Sequence, residues 1–130
     1  ETLAQTYFDQ NEIIDETIYD FKISYLDTIP SGDIIIGVVK DLKSGMKLNQ
    51  IAFKFHYSLV KMVEKIALLK GVVKISFSGG VFQNALLVDL IQLHLESNFQ
   101  LYFNEEVSPN DENIALGQLA FYQTKNNDKF

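Results

Sequence analysis

Ser78-Gly79-Gly80-Val81-Phe82-Gln83-Asn84 places two adjacent glycines ahead of an amide side chain, just after the run Val72-Val73-Lys74-Ile75. Without a Cβ, glycine takes positive φ and lets a ligand come close to the backbone. A helix start after such a turn offers free N–H groups and partial positive charge, which favours a phosphate or a polar ligand edge. Asn84 falls in the first turn of that helix, and its amide both donates and accepts, as a ribose or a purine edge requires. The same residues also suit a plain tight turn in which Asn84 is a local cap. Both readings stay open on this segment alone.

A second constellation is Pro109-Asn110-Asp111 ahead of Ile114-Ala115-Leu116-Gly117-Gln118. Asp111 at a helix start reads either as a cap or as a carboxylate ligand. Gly117 inside the helix costs about 1 kcal/mol against alanine, so something is expected to pack close there, a helix or a ligand. His56, beside an apolar stripe, reads as a hydrogen-bonded structural residue, and His94 as a solvated helix residue. The two histidines are too far apart to form a metal pair on one helical face. Glu105 and Glu106 read as a solvated loop.

The elements that position these residues follow from periodicity and punctuation. Glu1 to about Phe8 suits a short helix or a frayed end, and Phe21 to Ile29, bounded by Pro30, an extended segment. A helix is predicted from Ser31, as N-cap, to about Lys43, with Gly45 as its stop. The longest helix runs from about Lys47 to Leu69, closed by Lys70-Gly71. Leu48, Ile51, Ala52, Phe55, Leu59, Met62, Val63 and Ile66 form its apolar stripe. A strand over 72–77, a helix from about Val81 to Ser97 and a second strand over Phe99–Phe103 follow. The central helix should bury Leu86, Leu87, Leu90 and Ile91. A last helix spans about Glu112 to Gln123, and Lys125–Phe130 reads as a disordered polar tail. Strand, glycine turn, helix, strand, loop, helix is an α/β pattern, helix-rich with a few short strands, as if only part of a sheet were present.

Composition sets the bounds. The 130 residues fit a single domain spanning 1–130, and 47% apolar content spread along the chain excludes a disordered one. A net charge of −6 argues against a nucleic-acid partner. The absence of cysteine excludes disulfides, thiolate metal sites and a cysteine nucleophile. No apolar run approaches the roughly 20 residues that span a bilayer, so no membrane partner is expected. The chain begins Glu1-Thr2-Leu3 without methionine, which predicts a piece of something longer.

In order and spacing, these segments resemble the final stretch of HypF proteins. The resemblance is carried by Ile51-Ala52-Phe53-Lys54-Phe55-His56, by Gly79-Gly80-Val81-Phe82-Gln83-Asn84, and by Val107-Ser108-Pro109-Asn110-Asp111 with Ala115-Leu116-Gly117-Gln118. Leu26-Asp27-Thr28 is similar to a family segment further upstream. The likeness covers about residues 20–122 and departs where Ala85, Ser108, Glu112 and Asn113 stand in place of an arginine, a proline and two glycines.

The resemblance implies a partial lobe of the actin-like ATPase fold, in which two α/β lobes enclose a nucleotide cleft. It also implies a cytoplasmic carbamoyltransferase that moves a carbamoyl group from carbamoyl-adenylate, made from carbamoyl phosphate and ATP, to the C-terminal cysteine of HypE. That chemistry serves cyanide ligand synthesis in maturation of nickel–iron hydrogenases. By that likeness Gly79, Gly80 and Asn84 would hold the adenosine part, as nucleotide-binding residues, and Asp111 would be one ligand of a divalent, iron-type metal. Partners would be HypE and the remaining HypF domains. No catalytic residue is assigned, and the piece alone is expected to be inactive, its metal absent. The competing readings are a stand-alone interaction module, with turn and Asp111 purely structural, and the nucleotide lobe of a kinase in the same fold superfamily.

Overall fold

The computed structural model describes residues 1–10, 18–23, 29, 31–104 and 106–127. Among the described residues, five helices and two strands follow in order: α1 (Thr2–Gln10), α2 (Ser31–Lys43), α3 (Leu48–Lys70), β1 (Lys74–Ser76), α4 (Ala85–Leu95), β2 (Gln100–Tyr102) and α5 (Ile114–Asn127). Short 3-10 turns, Gly80–Gln83 and Asp111–Asn113, precede α4 and α5. The expected segment at Leu26-Asp27-Thr28, Pro30 and Glu105 lie outside the described residues.

The strands pair in parallel, with Ile75 opposite Leu101. They are the two expected strands, each trimmed to three residues. Parallel pairing requires a crossover, and α4 supplies it. Its Leu86, Leu87, Leu90, Ile91 and Leu95 are buried, each contributing about 1.5–3 kcal/mol of hydrophobic stabilisation. The result is a helix-rich α/β unit.

α3 is the central helix, and it is buried from two sides rather than along one stripe. Phe53, Tyr57, Val60 and Ala67 join α1, α4 and Phe77 in the larger core, with the Phe53 and Tyr57 ring centroids 6.0 Å apart. Met62 joins Tyr19, Phe21 and Ile34 in a smaller one, flanked by Phe55, Leu59 and Ile66. Leu48, expected on the stripe, is exposed. Gly71 ends α3 at φ 63°, with its N–H on the carbonyls of Ala67 and Leu68.

The smaller core is held by polar contacts that residue spacing does not announce. Tyr19 N–H donates to Ser58 Oγ at 2.8 Å, and Ser58 donates to the Lys54 carbonyl at 2.7 Å. Lys54 Nζ lies 4.3 Å from the Tyr19 ring centre and pairs with Asp41 at 2.9 Å. Burial pushes the Tyr19 phenol well above its usual range, and the adjacent Asp41 adds to this. Burial also raises the Asp41 carboxyl, but the hydrogen-bonded Lys54 ammonium outweighs it and holds the group below its usual range.

Four local expectations are corrected. The helix expected from Val81 starts at Ala85, because Asn84 is extended (φ −77°, ψ 103°) and a 3-10 turn takes up the preceding residues. His94 is half-buried, its ring 4.8 Å from that of Tyr57, rather than solvated. Among the described residues nothing lies within 4 Å of a Cβ built at Gly117, so no described helix packs close there. The described side chains of α5 from Ile114 to Lys125 are all exposed. α5 also continues to Asn127, into the tail expected to be disordered.

Candidate functional site

The chain leaves β1 through Phe77, whose N–H donates to Tyr102 O at 2.8 Å and whose ring stacks on Phe103 with centroids 4.9 Å apart. These contacts fix where the strand ends and the glycine turn begins. Gly79 then adopts φ 107°, ψ 157°, a conformation essentially closed to residues with a side chain. Its N–H donates to Pro109 O at 2.7 Å. Gln83 Nε2 donates to Ser108 Oγ at 3.3 Å. The glycine turn and the loop leading to Asp111 are therefore fastened to each other, although α4 and β2 separate them in sequence.

Gly80 opens the 3-10 turn, is exposed, and would gain a Cβ into open space. Asn84 is the N-cap of α4, its Oδ1 accepting from Leu87 N–H at 3.0 Å. Its Nδ2 lies 2.9 Å from His56 Nε2, and His56 Nδ1 lies 2.7 Å from Ala52 O. Nδ2 has only hydrogens to give, so His56 Nε2 accepts and Nδ1–H donates to the carbonyl. His56 is thus hydrogen-bonded as its sequence position implied. What the sequence did not show is that its partner is Asn84.

The start of α4 is less open than the sequence suggested. Ala85 N–H donates to Glu1 Oε1 at 2.9 Å, and Leu87 N–H is taken by Asn84. Gly80 and the outer edge of Asn84 are what this turn offers a ligand. A glycine with open space above it, beside an amide with hydrogen-bonding capacity left, fits a flat polar group such as a nucleoside.

Asp111 is exposed and opens the second 3-10 turn. The capping role falls to its neighbour: Asn110 Oδ1 accepts from Glu112 N–H at 3.0 Å. Asp111 is left with a carboxylate that the turn does not use as its cap. Among the described residues no group of three His, Asp or Glu side chains could hold a metal ion. Asp111 is thus not a complete metal site, and any ion it helps to hold needs donors from beyond the described residues.

Comparison with known proteins gives the family. Residues 2–118 match the family described as carbamoyltransferase, Kae1-like domain, second subdomain. The chain belongs to this family. It is similar to the carbamoyltransferase HypF of Synechocystis sp. (strain ATCC 27184 / PCC 6803 / Kazusa), with 42% identity over 74 residues. That stretch is 56% of this chain and 10% of the relative, so the chain matches a small part of HypF. No solved structure matches it. Gly79, Gly80, Asn84 and Asp111 all fall within the matched subdomain. Among the described residues no helix is long and apolar enough to cross a membrane.

Proposed function

We propose that this chain is most of the second lobe of an actin-like carbamoyltransferase domain and forms one wall of its nucleotide cleft. In that role Gly79 and Gly80 let the adenosine part of carbamoyl-adenylate approach the backbone, and Asn84 hydrogen-bonds its edge. Asp111 contributes one carboxylate to a divalent, iron-type metal whose other ligands come from the rest of the protein; such an ion, once bound, supplies charge stabilisation next to the adenylate. The cytoplasmic partner is HypE, and the other HypF domains form carbamoyl-adenylate from carbamoyl phosphate and ATP. The sulfur of the HypE C-terminal cysteine attacks the carbamoyl carbon and forms a C–S bond. The C–O bond to the adenylate breaks, AMP leaves with its electron pair, and the thiol proton passes to water.

The observation that carries this reading is the 2.7 Å bond from Gly79 N–H to Pro109 O. It sets the two polar motifs side by side, as a shared ligand would need. A half-site of this kind positions poorly alone, so the 130-residue chain is expected to be inactive in isolation. Intact-mass measurement of HypE tests the proposal. The complete protein should carbamoylate the C-terminal cysteine only with both ATP and carbamoyl phosphate, and the chain alone should not. Absence of transfer by the complete protein, or transfer without ATP, contradicts it.

A further inference from the structure

We infer, given the adenosine-binding role proposed for Asn84, that His56 is the positioning residue that sets how Asn84 meets its ligand. Hydrogen bonds run from Ala52 O through His56 and Asn84 to Leu87 N, at 2.7, 2.9 and 3.0 Å. Each link allows one polarity. Leu87 N–H can only donate, so the Asn84 atom facing it is the oxygen. The Asn84 nitrogen then faces His56 Nε2, which must be unprotonated, and the ring proton sits on Nδ1 against Ala52 O. Any other protonation of the ring would set two donors against each other.

A half-buried asparagine at a helix start could otherwise rotate and exchange its amide ends. Here its oxygen is held from α4 and its nitrogen from α3, the central helix of the fold. Among the described contacts one amide hydrogen and one oxygen lone pair remain uncommitted, and both are fixed in place. A donor and an acceptor held ready suit a purine edge or a ribose hydroxyl, and the ligand need not bear the cost of ordering them. His56 touches no ligand in this arrangement. It acts through Asn84.

Two measurements test this. In long-range 1H–15N spectra of the 130-residue chain, His56 should show the Nδ1–H tautomer, and Asn84→Ala should release it toward Nε2–H. An Nε2–H tautomer in the unmodified chain overturns the inference, whatever binds nearby. In the complete enzyme, with AMP as the probe, Asn84→Ala should weaken binding roughly three- to tenfold, the scale of one or two lost hydrogen bonds. His56→Ala should weaken it by a similar factor, and the double variant should be no worse than either single one. His56→Gln, which can set an amide oxygen near the place of Nε2, should restore most of the affinity. If Asn84→Ala weakens binding while His56→Ala does not, the inference about His56 fails and the adenosine role stands. If Asn84→Ala has no effect, the adenosine role fails and the inference with it.

Discussion

Gly79 gives its backbone N–H to the Pro109 carbonyl at 2.7 Å, and this bond joins the glycine turn to the loop that carries Asp111. Gly79 can make it because φ 107° turns its amide to a direction that an L side chain would strain. The second motif is thereby held against the first, and the Gln83–Ser108 side-chain bond adds to it. Asp111 keeps a carboxylate that the turn does not use as its cap, and Asn84 keeps one amide hydrogen and one oxygen lone pair beyond its bonds to His56 and Leu87.

Gly37 has a structural role. A Cβ there would run into the ring of Tyr19, which is buried under α2. Gly37→Ala should destabilise the chain by about 1–3 kcal/mol, the usual cost of overpacking a core. Gly32→Ala, in the same helix with nothing within 4 Å, is the control and should be neutral or slightly stabilising. Urea denaturation of the two variants checks this, and equal midpoints would contradict it.

Asp41 should give the fold an acid-sensitive limb. Its folded carboxyl is held below the ordinary range, so its contribution is full above about pH 4, near the unfolded value. It is lost as pH falls through the lowered folded value. Asp41→Asn should therefore cost on the order of 1 kcal/mol at neutral pH. The gap to wild type should close as pH falls through that lowered value. A gap that stays constant from neutral to acid pH would show that the Lys54 pair contributes nothing.

Asn110 and Asp111 should separate stability from chemistry. Asn110→Ala removes the cap on Glu112 N–H and should cost about 1 kcal/mol. Asp111→Asn should leave the melting temperature alone. In the complete enzyme it should also leave carbamoyl-adenylate formation intact, while transfer to HypE and bound metal both fall, because a neutral amide holds a divalent cation far less well than a carboxylate. Wild-type transfer with metal retained would remove Asp111 from the site.

What the sequence revealed depended on how each element is buried. α4 meets the core on one face, so its stripe of Leu86, Leu87, Leu90 and Ile91 was legible from periodicity. α3 is buried from two sides, and a single-stripe reading missed Phe53, Tyr57, Val60 and Ala67. The glycine turn and Asp111 were legible because glycine and asparagine types mark a turn locally. Their fastening through Pro109 was not, since a backbone hydrogen bond leaves no trace in residue types. The same holds for His56 and Asn84, each plausible alone but 28 residues apart. In Pro109-Asn110-Asp111 the sequence offered Asp111 as the cap, and the fold uses Asn110 instead.

The central claim is that the Gly79-Gly80 turn receives the adenosine part of a nucleotide, and Gly80 allows the most direct test. A Cβ at Gly80 meets no atom of the described residues within 4 Å, so this lobe itself leaves room for it. Gly80→Ala in the complete enzyme should stay within about 1 kcal/mol of wild-type stability. Its affinity for a non-hydrolysable carbamoyl-adenylate analogue, measured by calorimetry, should fall roughly tenfold or more, equivalent to about 1.4 kcal/mol. A folded Gly80→Ala enzyme that binds the analogue as tightly as wild type would contradict the claim and leave the turn a purely structural one.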